Sequence, residues 1–317
     1  MELRTLGYFV AVTEEESFSR AAERCRVAQP AISQQIRNLE TEVGEVLFER
    51  GPRAVRLTPA GTALLPYARE AIAAVAAAKA EFAARAGVLS GELALGSVDG
   101  VEITPLPALL GAFHRRFPAV NVRLVSGTSA VLLDRVRHGS LSAAAIAHPA
   151  GPLEPALSTR TLLEDRFVAV VPAGHPVTTG AALAIESLAG ASLISYNPDS
   201  GLRPLLDAAF ASAGVAFQPA YATNDVALLV ALAGEGIGIA IAAGADPEIY
   251  QDPRVVAVPL TPVIPYRKIL VWRRTPAPPA PLRALLSLPV ETIRADGKEA
   301  GRAPDPAAPS RTDTSAT

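Results

Sequence analysis

The stretch QPAISQQIRNLE, residues 29–40, gathers side chains that can read hydrogen-bonding edges. At helical spacing it sets Ser33, Gln34 and Arg37 on one side and Ile32, Ile36 and Leu39 on the other. A glutamine amide carries a donor beside an acceptor and pairs bidentately with adenine, while a serine hydroxyl serves several bases. Gln29, Ser33 and Gln34 are therefore candidate base readers, and Arg37, one turn further on, suits phosphate or guanine. Pro30 belongs in the first turn of such a helix, where its missing N–H is not needed. The other reading of the same residues is the solvated face of a small helical subdomain.

A second group of residues suits a small ligand. In open α/β sheets ligands sit beyond the carboxyl ends of the strands. The loop after ELALG then offers Ser97, Val98 and Asp99, and the loop after VRLVSG offers Thr128 and Ser129. The loop after SLIS offers Tyr196 to Arg203, with Arg203 as a clamp for a carboxylate, and Thr223 and Asn224 close the other wall. Each hydroxyl has an alternative role as a helix cap. Asp99 repels an anion, so the ligand is neutral or cationic unless Asp99 points away.

Catalytic patterns fail on inspection. His114, His138, His148 and His175 are scattered without metal-ligand spacing. GEGIG is no dinucleotide fingerprint, because Ile239 stands where a third glycine is needed and a strand follows it; a helix C-cap explains it better. GSVDG misses the nucleophile elbow by one place. No catalytic residue, metal or cofactor is expected.

The elements that must position these residues follow from pattern and composition. The chain has 317 residues, 50% apolar, with a formal net charge of −2, so two or three compact units are expected and any nucleic-acid surface must be local. Cys25 is the single cysteine and is expected to be buried and structural, in a reducing compartment. The N-terminus lacks a secretory pattern and no apolar run of about 20 residues occurs, so a cytoplasmic protein without a membrane partner is expected.

Leu3, Leu6, Phe9 and Val10 share a first helical face that a run of three glutamates ends. SFSRAAERC follows with Ser17 or Ser19 as N-cap and Ala21, Ala22 and Cys25 turned inward, and then comes the helix at Gln29. This helix, tight turn and second helix have the dimensions of a helix-turn-helix, whose second helix enters the major groove. VLFERGPRAVRLT alternates and turns at Gly51-Pro52 as a two-stranded wing. Through Thr58 there are eight arginines against nine acids, but the acids cluster away from the groove-facing end. Arg20, Arg24, Arg26, Arg50, Arg53 and Arg56 are left to line the DNA backbone, with Ser19 beside them. Thr58-Pro59 starts a helix of nearly 30 residues, in which Leu65, Ala68, Ile72, Val75 and Phe82 form a stripe interrupted by Lys79. That stripe is expected to be a dimerisation seam. From Gly91 strands alternate with helices, implying parallel sheets in two lobes with a cleft between them. From about Glu291 the chain is polar and rich in proline and alanine, and is expected to be disordered.

The segment LGYFVAVTEEESFSRAAERCRVAQPAISQQIRNLETEVGEVLFERGPRAVRLTPAG resembles the N-terminal domain of LysR-type transcriptional regulators. YFVAV, SFSRAA, QPAISQQIRNLE, LFER and LTPAG occur in order at the family's spacing, and weaker similarity, including PAGHP and GEGIGIA, continues to about residue 290. The resemblance implies an α/β protein with an N-terminal winged helix-turn-helix, mainly α, over residues 1–58 and a linker helix over 59–88. A two-lobed effector domain like a type 2 periplasmic binding protein would follow over 89–290, with lobe I about 89–161 and 266–290 and lobe II about 162–265. Gln29, Pro30, Ser33 and Arg37 match the family's recognition helix. Position 34, often arginine in the family, is Gln34 here, which bears on one phosphate or guanine contact and on half-site preference. Ala28 stands where a serine or threonine cap is common, Cys25 where a large aliphatic is common, and GSLSAAAIAH lacks an acidic residue often found before that strand.

The implied function is a ligand-responsive regulator that binds an interrupted inverted repeat near promoters as a homodimer or homotetramer, its geometry changing with a small-molecule effector. The implied partners are double-stranded promoter DNA, the effector and RNA polymerase, and the implied location is the cytoplasm, at the nucleoid. The competing class is a cytoplasmic small-molecule receptor or enzyme whose N-terminal helices serve only assembly.

Overall fold

The computed structural model describes residues 1–50, 55–85, 89–100, 102–149, 151–176, 182–290 and 293–294. The N-terminal unit is built on three helices: α1 (Leu3–Glu15), α2 (Phe18–Cys25) and α3 (Gln29–Val43). Glu16 ends α1 in the left-handed conformation at φ 48°, and the Ser17 side chain accepts the Arg20 N–H to start α2. Pro30 sits in the first turn of α3, whose N-cap residue Ala28 makes no side-chain bond, and Gly44 ends the helix at φ 82°. The apolar faces meet in a core of Leu6, Phe9, Val12, Ala21, Ala22, Ile32, Ile36 and Leu39. Burying a large side chain such as fully enclosed Phe9 contributes roughly 1.5–3 kcal/mol. Cys25 is only half-buried at the edge of this core rather than enclosed, because the last turn of α2 faces outward.

Strands β1 (Phe48–Arg50) and β2 (Val55–Leu57) pair antiparallel, Phe48 opposite Leu57 and Glu49 opposite Arg56. Phe48 anchors them by ring contacts to Phe9 and Phe18 at 5.3 and 5.7 Å. The 27-residue α4 (Pro59–Arg85) then leaves the unit. Thr58 Oγ1 accepts the Gly61 N–H at 3.0 Å and donates to the Val46 carbonyl at 2.7 Å, so one hydroxyl both caps α4 and ties it to the segment before β1.

The rest of the chain runs in order through β3 (Gly91–Ser97), α5 (Leu106–Arg116), β4 (Val120–Ser126), α6 (Ser129–Arg137), β5 (Ala143–Ala147) and the 16-residue β6 (Leu157–Pro172). It continues through β7 (Leu183–Ala184), a short 3-10 helix at Ile185–Leu188, β8 (Leu193–Ser195), α7 (Arg203–Ser212), β9 (Tyr221–Ala222) and α8 (Val226–Gly234). Then follow β10 (Ile239–Ala243), α9 (Glu248–Gln251), β11 (Val255–Thr261), β12 (Pro265–Arg273), α10 (Ala280–Ser287) and β13 (Ile293–Arg294).

Two lobes result, joined by β6 and by the return from β11 into β12. The first part of β6 pairs antiparallel with β12 from Leu157 to Arg166, and from Phe167 onward it pairs with β10 and β11. The two crossings touch, the Phe167 N–H donating to the Ile264 carbonyl at 2.9 Å. The expected parallel pairing is present within each lobe, β3 with β4 and β5, and β8 with β9 and β10, while the crossing strands run antiparallel. A strand that passes from one lobe to the other and a strand that comes back must oppose each other. Ile293 and Arg294 pair with β6 at Leu163 and Glu164, so a strand stands where the tail was expected to begin; residues 291–292 and 295–317 lie outside the described residues. GEGIG closes α8 through Gly236 at φ 74°, as a C-cap.

Candidate functional site

On α3, Gln29, Pro30, Gln34 and Arg37 are exposed, forming an outward row above the apolar stripe. Ser33 is not part of that row. It is 6% exposed, and its Oγ accepts the Gln29 Nε2 donor at 2.8 Å. Ser33 lies one turn before buried Ile36, at the seam between the two helix faces, so it fixes the Gln29 amide instead of facing outward. Gln34 donates to Asn38 at 3.0 Å, and Arg37 Nε donates back to the Ser33 carbonyl at 3.2 Å. Gln35, turned the other way, accepts the Thr5 hydroxyl at 3.0 Å and locks α3 against α1. Glu40 accepts the N–H groups of Leu47 and Phe48, fixing the wing relative to α3. Ser19, Arg20 and Arg56 are exposed; Arg53 and the side chain of Arg50 lie outside the described residues.

Between the lobes lies a cavity of about 350 Å³. Val98, Asp99, Thr128, Ser129, Tyr196 and Asn224 all line it, brought together from both lobes. Ser97, Arg203 and Thr223 do not. Ser97 completes β3 beneath the wall, and the Thr223 hydroxyl accepts the Asp225 N–H at 3.1 Å. Arg203 turns back into its own lobe, donating to Asp207 at 2.7 Å and to the Tyr196 carbonyl at 3.1 Å, and stacking on Phe217 at 4.8 Å. Those partners satisfy the guanidinium, so it clamps nothing in the cavity.

The cavity's cation is Lys268 on β12, only 4% exposed, with Nζ donating to the Gly100 carbonyl. Burial pushes its pKa down to about 8, against the opposing pull of Glu102, Asp246 and Asp99. Asp246, 6% exposed, has its carboxyl pushed above the usual range by burial, while the Glu248 N–H and Lys268 pull it down. The lining side chains therefore combine two carboxylates with one ammonium. Thr128 stands at the N-cap of α6 without a side-chain capping bond, and with Ser129 it brings the start of that helix to the cavity wall. Tyr196 is buried and its hydroxyl accepts the Ala243 N–H at 2.8 Å; burial raises its pKa, so it stays a neutral wall.

Comparison with known proteins joins these two sites. The family model for the lysR-family bacterial regulatory helix-turn-helix protein matches residues 3–62, and that for the LysR substrate binding domain matches residues 86–293. The chain belongs to the LysR family. It is a ligand-responsive, DNA-binding transcriptional regulator of that family. It is 30% identical to the Hca operon transcriptional activator HcaR of Escherichia coli, over 92% of this chain and 98% of that protein. It is also 30% identical to the dual regulator OxyR of Escherichia coli, over 93% and 95% of the two chains. Full-length OxyR C199D of Pseudomonas aeruginosa superposes with a TM-score of 0.71 at 27% identity, covering 90% of this chain and 93% of that one. Full-length CbnR in complex with its target DNA shares the fold, with a TM-score of 0.61 at 23% identity, covering 90% and 98%. Members of the family are transcriptional regulators rather than enzymes, and they oligomerise.

Within this LysR-type chain the stripe on α4 divides. Ala68 is fully buried, and Leu65 and Ile72 pack against the N-terminal core, so these three stabilise the chain's own fold and do not form a free seam. Val75 and Phe82, further along the helix, are 37% and 69% exposed. Sequence reasoning missed Lys268 and Asp246. A lone lysine in the apolar run of β12, two places after buried Tyr266, was the available signal for the first. For Asp246 the signal was its place just beyond β10, where the rule used for the other loops also applies. Among the described residues no group of three or more histidine, cysteine or acidic side chains is arranged to hold a metal, and no helix is long and apolar enough to cross a membrane.

Proposed function

We propose that α3 reads bases through Gln29 and Gln34, with Arg37 reaching phosphate or guanine and Ser33 positioning the Gln29 amide. The observation that carries this is the outward row at the N-terminal half of α3, backed by the buried Ile32, Ile36 and Leu39. Ser19, Arg20, Arg50, Arg53 and Arg56 supply the phosphate contacts that set register. Residues 1–58 form the DNA-reading unit, 59–88 the linker and 89–290 the effector unit. Two copies, joined through the exposed part of α4 around Val75 and Phe82, lay their recognition helices in successive major grooves of an interrupted inverted repeat, as a dimer or as a tetramer of such dimers.

A small effector occupies the interlobe cavity, an acceptor group resting on Thr128, Ser129 and the head of α6, and an apolar body against Val98, Leu202 and Val226. Its binding shifts the population of oligomer geometries and so the DNA bend and the access of RNA polymerase, in the cytoplasm at the nucleoid. The test is specific DNA binding by variants. Gln29→Ala with Gln34→Ala should lose roughly 1–3 kcal/mol per contact on specific sequence and little on random DNA. An equal loss on both, or none, rules out base reading by this helix.

A further inference from the structure

A second cavity, of about 670 Å³, lies away from the lobe interface, between α4 and the outer face of the first lobe. Arg24, Arg69, Lys79, Arg123 and Arg273 line it. The acids lining it are Glu14 and Glu92. Arg24 takes Glu14 at 2.8 Å, Arg123 takes Glu92 at 2.7 Å, and Arg273 reaches out to Glu70 at 3.3 Å. Arg69 is left to share Glu14 at 3.4 Å, and Lys79 has no ion-pair partner among the described residues. The Nε of Arg69 is buried with no hydrogen-bond partner, the one such side-chain atom among the described residues. A buried, charged donor without an acceptor is costly, and native structures rarely leave one so. Arg135 behind the wall adds to the excess: after burial, the like charges of Arg123 and Arg69 depress its pKa, with Glu14 in partial opposition.

We propose that this junction is a second ligand site, for a multivalent oxyanion, distinct from the interlobe cavity. The anion would accept from Arg123, from Lys79 and from the terminal nitrogens of Arg69, whose side chain is 21% exposed although its Nε is enclosed, supplying the negative charge that the surrounding carboxylates leave short. The three groups come from different parts of the chain, Arg69 and Lys79 from α4 and Arg123 from β4. A bound anion would therefore tie the DNA-reading unit and its linker to the first lobe. It would favour the arrangement in which they touch, and by linkage its affinity and that for DNA would alter each other by one common factor.

The experiment uses the full chain with inorganic phosphate and pyrophosphate as probes, read by thermal unfolding at constant ionic strength against chloride. Both probes should raise the unfolding temperature saturably, pyrophosphate at lower concentration. Arg69→Gln should raise the half-saturating concentration about tenfold, as expected for one lost charged hydrogen bond. The exposed Arg123→Gln, which leaves the N-terminal core untouched, should do the same, while Arg116→Gln, exposed on α5 and outside both cavities, should change nothing. A shift equal to that with chloride, or one that persists in Arg69→Gln and Arg123→Gln, overturns the site. Neither result bears on base reading by α3, which the Gln29 and Gln34 variants test separately.

Discussion

Lys268 illustrates how one side chain sets the chemistry of a cavity. Its ammonium is buried beneath the Gly100 carbonyl and its pKa is pushed down to about 8 by that burial. The unfolded chain holds this proton up to the ordinary 10.5, so between about 8 and 10.5 the unfolded state binds more protons and the contribution of this group to stability rises with pH. We expect denaturant unfolding to reveal a component rising by up to about 1.4 kcal/mol per pH unit in that window, and Lys268→Met to remove it. A second residue-scale prediction concerns Ser33. Ser33→Ala should cost about 0.5–1.5 kcal/mol of stability and weaken specific DNA binding less than Gln29→Ala, because it loosens the amide without deleting it. The spacing of residues 29–40 made the recognition helix legible. It misassigned Ser33 because a helical period alone does not say how far an apolar stripe spreads, and here the seam closes over that hydroxyl. Arg203 was misassigned for a related reason: its carbonyl, carboxylate and ring partners are distant in sequence or depend on the rotamer.

At the scale of elements, α4 serves two structures in succession. Its first half is part of the N-terminal core and its second half stands clear of it. Ala68→Asp puts an uncompensated charge into a fully buried position and should unfold the N-terminal unit, at a cost above about 3 kcal/mol by thermal or chemical denaturation. Val75→Asp, at an exposed position beyond that core, should instead leave the unfolding transition nearly unchanged and shift the sedimentation profile toward monomer. One continuous stripe in the sequence conceals this division, since apolar spacing is the same whether the partner is the same chain or another. The wing, the helix-turn-helix and most strands of the lobes were legible because each carries its own turn and periodicity. The first part of β6 was not, because ALSTRTLLEDR reads as polar and becomes a strand only through pairing with β12, more than 90 residues later. The two-residue strands β7 and β9 likewise exist only through their neighbours.

In the molecule as a whole, the lobes approach each other closely across the cavity. A Cβ added to Gly201 would come within 2.2 Å of Ser129 Oγ in the opposite lobe. Gly201→Ala should therefore hold the lobes apart and lower effector affinity with little change in DNA binding without effector, measured by calorimetry once an effector is in hand. Outside the lobes, Arg273–Glu70 and Arg283–Glu81 fasten α4 to the first lobe at 3.3 and 2.7 Å, so the effector unit and the DNA-reading unit are in physical contact through the linker. Such a contact lets a shift in lobe geometry reach the recognition helices. The central claim is that this contact serves sequence-specific reading of DNA by α3. It is tested most directly by footprinting the purified protein on DNA from upstream of its own gene, with random DNA as competitor and salt titrated. Protection of an interrupted inverted repeat that survives competitor, and is lost in the Gln29→Ala, Gln34→Ala double variant, is the expected result. Protection that is uniform along the fragment, or that vanishes equally on specific and random DNA as salt rises, would contradict it.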